Sequence, residues 1–82
     1  MKTKSLAELY AGESAEIAGI ELQGPAAERL RALGLTDGTK VTKLRAAPSG
    51  DPAAYLFRGA VIALRNADAA KIAVVPGDGA RV

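Results

Sequence analysis

The chain contains no cysteine and no histidine. Lacking thiol and imidazole, it has no disulfide, no thiolate nucleophile, no side chain that titrates near neutrality, and none of the preferred ligands of zinc, copper and non-haem iron. Aromatic residues are almost as scarce, with two Tyr and one Phe in 82 residues. Asp, Glu, Lys, Ser, Thr and Tyr remain, from which a hard-cation site or a Ser/Lys nucleophile is the only chemistry left. A single domain of this length leaves little room for a cleft with the supporting residues such a site needs. The absences point away from catalysis and toward a binding or regulatory module.

Long apolar runs are missing as well. The longest, Ala60-Val61-Ile62-Ala63-Leu64 and Ile72-Ala73-Val74-Val75, fall far short of the roughly 20 residues that span a bilayer as a helix. Glu8, Glu13 and Glu16 interrupt the N-terminal region where a signal sequence would need continuous apolar residues. There is no run of like charge either: 11 basic and 9 acidic residues are interspersed to a net +2. These features read as a cytoplasmic, unprocessed protein with no cofactor.

What is present reads as short strands with one helix. Ser5-Leu6-Ala7-Glu8 has the form of a capping box opening a helical turn. Ile17, Ile20 and Leu22 suit a half-buried strand from Ser14, with a change of parity that asks for a bulge near Gly19. Gly24-Pro25 opens a helix with Ala26, Leu30 and Leu33 on one face, stopped at Gly34. Strands follow at Lys40–Ala46, Ala54–Phe57, Val61–Arg65 and Ile72–Val75. Between the first two of these, Pro48-Ser49-Gly50-Asp51-Pro52 cannot sit in a sheet and forms a loop. Asn66 is placed to cap the turn Ala67–Lys71. The expected core is Leu9, Ile17, Leu30, Leu33, Leu35, Val41, Leu44, Ile62, Leu64, Ile72 and Val74. Five short strands with a helix between the first two predict a mainly β fold, a small SH3-like barrel over residues 1–75. A flexible tail is expected at 76–82, which opens Pro76-Gly77-Asp78-Gly79, too polar and Gly-rich to pack.

The stretch Ala47-Pro48-Ser49-Gly50-Asp51-Pro52, followed by Gly59 and Ile62-Ala63-Leu64-Arg65, resembles the FeoA family, the small cytosolic component of bacterial ferrous iron transport. Ser5-Leu6 with Leu9 and Gly12-Glu13, then Arg29-Leu30 with Leu33-Gly34-Leu35 and Gly38, and finally Ala69, Ile72 and Val74, match the family pattern in order over residues 5–75. The resemblance implies an SH3-like β-barrel with a helical insertion. It also implies a partner, the membrane protein FeoB with its cytosolic GTPase domain and transmembrane iron path. The family is similar, too, to the C-terminal SH3-like domain of iron-dependent repressors, which leaves a stand-alone protein-interaction domain as the alternative.

Most matched residues are explained by folding, Gly34 and Gly38 as stop and turn and the leucines as core. The candidate partner-binding residues are Pro48, Ser49, Asp51, Tyr55 and Arg65. Pro48 to Pro52 either ends two strands or presents Ser49 and Asp51 at an exposed tip where partners dock. Tyr55 and Phe57 share a strand face and either line a groove or fill the barrel, the second being the commoner fate. Arg65 either pairs with Asp68 or contacts a partner. An oxygen-ligand iron site from Asp51 with Asp37, Asp68 or Glu13 lacks ligand spacing, so no metal site is expected. Lys40, Lys43 and Arg45 would make a basic strand for nucleic acid, but small net charge and few aromatics argue against that partner.

Overall fold

Glycine and proline divide the chain into segments too short for anything but small elements, and the pairing of those segments sets the architecture. A computed structural model describes residues 3–76. In chain order it contains β1 (Lys4–Ser5), a 3-10 turn (Leu6–Glu8), β2 (Ser14–Ile20), α1 (Pro25–Ala32), β3 (Lys40–Ala46), β4 (Ala53–Phe57), β5 (Ala60–Leu64), α2 (Asn66–Ala69) and β6 (Ile72–Pro76). All six strands join one antiparallel sheet in the order β1-β6-β2-β3-β4-β5. The five expected strands are all present. The sixth, β1, is two residues long and pairs Lys4 with Val74 and Ser5 with Ala73.

Alternation along the strands builds one core. Ala15 and Ile17 from β2, Val41 from β3, Ala53, Tyr55 and Phe57 from β4, Ile62 and Leu64 from β5, and Ile72 and Val74 from β6 are buried in a single cluster with Leu6, Leu30 and Leu35. Each such side chain contributes roughly 1.5 to 3 kcal/mol when fully buried. The two outer strands, β1 and β5, do not pair with each other. Instead α2, which follows β5, packs against the 3-10 turn that follows β1, so the sheet curls until its ends are joined by helical turns. Leu6 and Ala69, one from each turn, have no exposed surface.

Two bulges tune the curl. One lies between Ile17 and Gly19 of β2, where the sequence asks for it. The other lies between Lys43 and Arg45 of β3. It inserts Leu44 as an unpaired residue and turns its side chain outward, leaving it 39% exposed. Leu44 is therefore not core. Leu33 is not core either, at 41% exposure, because the helix ends differently from its apolar spacing. Gly34 (φ 97°) reverses the chain, its amide donating to the Arg31 carbonyl and the Leu35 amide to the Leu30 carbonyl, 3.0 Å each. This Schellman-type stop brings Leu35 inward against Leu30 and leaves Leu33 outside. On α1 the buried pair is Ala27 and Leu30. Pro76, placed in the tail by its composition, pairs with Ala15 at the end of β6, and the rest of the expected tail, 77–82, lies outside the described residues.

The loop after the 3-10 turn is held by carboxylates. Glu8 accepts from the Ser5 amide (3.0 Å), and Glu13 accepts from the Tyr10 amide (2.8 Å) and from the Lys4 ammonium (3.1 Å). The Ser5 amide holds the Glu8 carboxyl below its ordinary value. The Tyr10 amide, and after it Lys4, do the same for Glu13 against the opposing effect of burial.

Two outcomes follow for stability. Gly34→Ala forces a Cβ into positive φ and to 3.1 Å from the Arg58 side chain, and is expected to cost about 1–2 kcal/mol in urea unfolding. Gly19→Ala, with nothing within 4 Å of the added Cβ, should change stability by less than about 0.5 kcal/mol. For pH, a carboxylate held below its unfolded value of 4.5 binds its proton less readily in the folded state. Its contribution is present above that value and is lost as pH falls toward the lowered one. The urea midpoint should therefore drop below pH 4.5, and Glu13→Gln should lower it at neutral pH and flatten the drop.

Candidate functional site

The loop between β3 and β4 begins as a tight turn because its ends are bonded to each other. The Ala47 amide donates to the Pro52 carbonyl (2.8 Å), and the Gly50 amide to the Ala47 carbonyl (2.7 Å) with Gly50 at φ 93°. The Ser49 hydroxyl donates to the Asp51 carbonyl at 3.0 Å, and the Asp51–Pro52 peptide is cis. Pro48, Ser49, Asp51 and Pro52 are all exposed at the tip.

That loop is fastened to the start of α2. The Asn66 amide donates to Asp51 Oδ1 and the Asn66 side-chain amide to the Gly50 carbonyl, each at 2.9 Å. Asn66 is thus not the helix cap: Arg65 occupies that position without a side-chain cap bond. The carboxylate of Asp51, fifteen residues earlier, supplies the acceptor that an N-terminal turn needs. Asp51, Pro52 and Arg65 consequently line one shallow depression. Arg65 does not pair with Asp68, since among the described residues the one ion pair is Lys4 with Glu13.

Four of the five candidate residues, Pro48, Ser49, Asp51 and Arg65, are therefore exposed on or beside one loop. Tyr55 is not among them. It lies opposite Lys43 and Ile62 in the sheet and has no exposed surface, so it fills the core and presents nothing to a partner. Among the described residues its hydroxyl has no hydrogen-bond partner. Burial, with a smaller effect from the nearby Asp51 charge, pushes its phenol above the ordinary value. The acidic side chains do not gather: among the described residues no three of Asp and Glu come together as a ligand set. Nor is β3 a basic face, because the Lys43 ammonium turns to the Leu9 carbonyl (3.0 Å), away from Arg45.

Exposed apolar residues went unflagged by the sequence. Tyr10 is 78% exposed with the Lys4 ammonium 5.8 Å from its ring centre. Val61 on β5 is 59% exposed. Strand alternation alone would have put Val61 on the outer face, opposite in parity to Ile62 and Leu64.

Comparison with known proteins gives this arrangement a context. The model of the FeoA domain matches residues 4–76. A fusion protein of Porphyromonas gingivalis, named as Fe(2+) transport protein A joined to Fe(2+) transporter FeoB, is 36% identical over 69 residues. The match covers 84% of this chain and 8% of that protein, so the chain spans a small part of its relative. The solution structure of a FeoA protein from Chlorobium tepidum superposes with a TM-score of 0.86 at 36% identity, over 92% of this chain and 71% of that one. The zinc complex of FeoA from Stenotrophomonas maltophilia, described as a prokaryotic SH3 domain protein, gives 0.73 at 28% identity over 93% and 92%. The fold alone is shared with a manganese-dependent transcriptional repressor, TM-score 0.81 at 17% identity over 94% of this chain and 38% of that one. None of the helices is long and apolar enough to cross a membrane, among the described residues.

The clamp predicts separable effects of substitution. Asp51→Ala should lower stability by about 1 kcal/mol, the worth of a helix cap, with amide exchange rising at Asn66. Tyr55→Phe removes an unpartnered buried hydroxyl and should be neutral or stabilising. Tyr55→Ala should cost about 3–5 kcal/mol, as for other large aromatic truncations.

Proposed function

The chain belongs to the FeoA family, and on that premise we propose that it is a non-enzymatic cytoplasmic accessory of bacterial ferrous iron uptake that docks on a FeoB-like membrane transporter and modulates it. The observation that carries this reading is the relative in which a matching segment and a FeoB transporter share one polypeptide. Covalent linkage raises the effective concentration of two modules to about the millimolar range, a gain that is useful when the modules act on each other.

The docking surface on this reading includes the tip Pro48, Ser49 and Asp51 with neighbouring Arg65. The tip is rigid before binding, since its backbone closes on itself and on α2, which reduces the ordering entropy lost on association. The partner supplies the GTPase domain and the iron path, and this chain reaches the membrane only through that partner. With no imidazole or thiol in the sequence, iron handling is assigned to the transporter. Modulation then works by differential affinity: the module shifts the transporter's conformational equilibrium only as far as it binds one state better than another. Nucleic acid is not a partner on this reading.

A second reading is a stand-alone SH3-like interaction domain serving a regulator, favoured by the fold shared with the manganese-dependent repressor. A pulldown separates the two. Immobilised protein should retain the full-length FeoB-like transporter, or its isolated GTPase domain, and Arg65→Glu should weaken retention by about tenfold, as removing a specific charge contact does. Recovery of neither by protein whose circular dichroism is native would sink the proposal. Specific recovery of a transcription factor instead would decide for the second reading.

A further inference from the structure

One face of the sheet breaks the usual rule that an antiparallel sheet turns polar residues to water. On the outside of β3, β4 and β5, Thr42 stands opposite Leu56 and Leu56 opposite Val61, while the next row runs from exposed Arg45 to Ala54 to Ala63, so the polar residues of this face are confined to β3. The β3 bulge adds Leu44 to this surface. Leu44 (39% exposed), half-buried Leu56, Val61 (59%) and exposed Ala63 make an apolar patch that no described residue covers. Apolar surface placed this way on a small domain marks an interaction site.

The same face ends at an open strand edge. Among the described residues, β5 pairs with β4 on one side and with no strand on the other. The β4–β5 hairpin turns through Arg58 (φ 50°) and Gly59 (φ 78°), the positive pair of a two-residue type I′ turn. In such a hairpin the closing residues, here Phe57 and Ala60, exchange backbone bonds. Alternation then points the N–H and C=O groups of Ile62 and Leu64 toward β4, and those of Val61 and Ala63 away from it. The edge therefore offers two donors and two acceptors beside the exposed Val61 and Ala63 side chains. Three of the protections common on natural edges are missing, since Ala60–Leu64 contains no Lys, no Pro and no bulge.

Charge selects the occupant. Arg58 and Arg65 bracket the edge, both exposed; Arg58 Nε donates to the Gly34 carbonyl at 3.1 Å, and no carboxylate among the described residues pairs with either guanidinium. Asp51, which lines a depression with Arg65, is engaged by the Asn66 amide. A second copy of this chain pairing antiparallel about Ile62 would bring Arg58 of one copy within one residue of Arg65 of the other, at both ends, which is repulsive. A strand with acidic residues at its two ends is attracted at both.

We propose that β5 accepts, by strand addition, an extended segment of a partner protein that alternates apolar residues and carries acidic residues at its two ends. Main-chain bonds to Val61 and Ala63 supply register, the apolar face beside Leu56 receives its alternate side chains, and Arg58 and Arg65 select the acidic ends. This surface shares Arg65 with the docking surface around the Pro48–Pro52 tip, but its strand edge and apolar face lie outside that tip and do not rest on the identity of the transporter as partner.

The test uses the full chain and synthetic peptides, Glu-Glu-Val-Thr-Val-Thr-Val-Glu-Glu and the same core flanked by lysines. Titration of the acidic peptide into isotopically labelled protein should shift the Val61 and Ala63 amides first and slow their hydrogen exchange. The lysine-flanked peptide should bind about tenfold or more weakly, the difference shrinking with salt. Val61→Glu, at an exposed position, should abolish binding while the spectrum of the core stays native. If the core signals were disturbed, Ala63 N-methylation of the chain made by ligation would remove the outward donor without altering charge, and should give the same loss. Equal binding of the two peptides, shifts centred away from β5, or a concentration-dependent homodimer abolished by Val61→Glu would each overturn the proposal. Peptide binding with no transporter recovered would leave this surface standing and count against the proposed function alone.

Discussion

Curling an antiparallel sheet until its outer strands face each other requires something to hold them, and here the hold is the packing of α2 on the 3-10 turn. Neither turn is stable alone: each is a few residues long, too short for its internal bonds to offset the cost of nucleation. Burial of Leu6 and Ala69 between them stabilises both. The bonds that shape these turns converge on the same place, with Glu8 on the Ser5 amide at one and Asp51 on the Asn66 amide at the other. Removing the packing would release the ends of the sheet and, with them, the enclosure around Tyr55 and Phe57.

The exposed tip inherits its rigidity from this closure. Asp51 fixes α2, and α2 in turn fixes Asp51, so the loop and the seam of the sheet are one mechanical unit. That coupling explains why a segment with two prolines and a glycine is ordered, where composition alone suggests a free loop. It also places the acidic side chain of the tip in a structural role, so any docking function must be shared with one of folding. Arg65 has no such engagement among the described residues, where its side chain makes neither an ion pair nor a hydrogen bond.

Much of the fold was legible because local chemistry and final structure agree. Lys40–Ala46 is a strand with the bounds its sequence suggests, and Pro25 and Gly34 punctuate α1 as glycine and proline do elsewhere. The bulge at Gly19 was readable because Ile17 and Ile20 differ in parity. The bulge at Leu44 was not, since Val41 and Leu44 in a basic strand gave no conflict to resolve. Leu33 was misplaced because helical spacing counts it inward, whereas a Schellman stop hands that place to Leu35. The remaining misses are non-local. The capping of Asn66 by Asp51 spans fifteen residues, and two-residue β1 exists only because Val74 and Ala73 are there to pair with it. At the candidate site, the exposure of the loop was legible, and the bonds that fasten it to Asn66 were not. Tyr55 required the strand register, which fixes its side chain inside.

The strand order carries a consequence for how the molecule is made. β6, the last strand in the described chain, lies between β1 and β2, the first two. A growing polypeptide therefore holds its earliest strands without their shared neighbour until synthesis has passed Ile72 and Val74. The first five strands can pair as far as β2-β3-β4-β5 but cannot complete the sheet, which waits on the sequence-distant pairing of β6 with β1 and β2. Until then the inward faces of β2 and the 3-10 turn are open to whatever apolar surface is at hand, a window in which the nascent chain depends on speed of completion or on escort by chaperones.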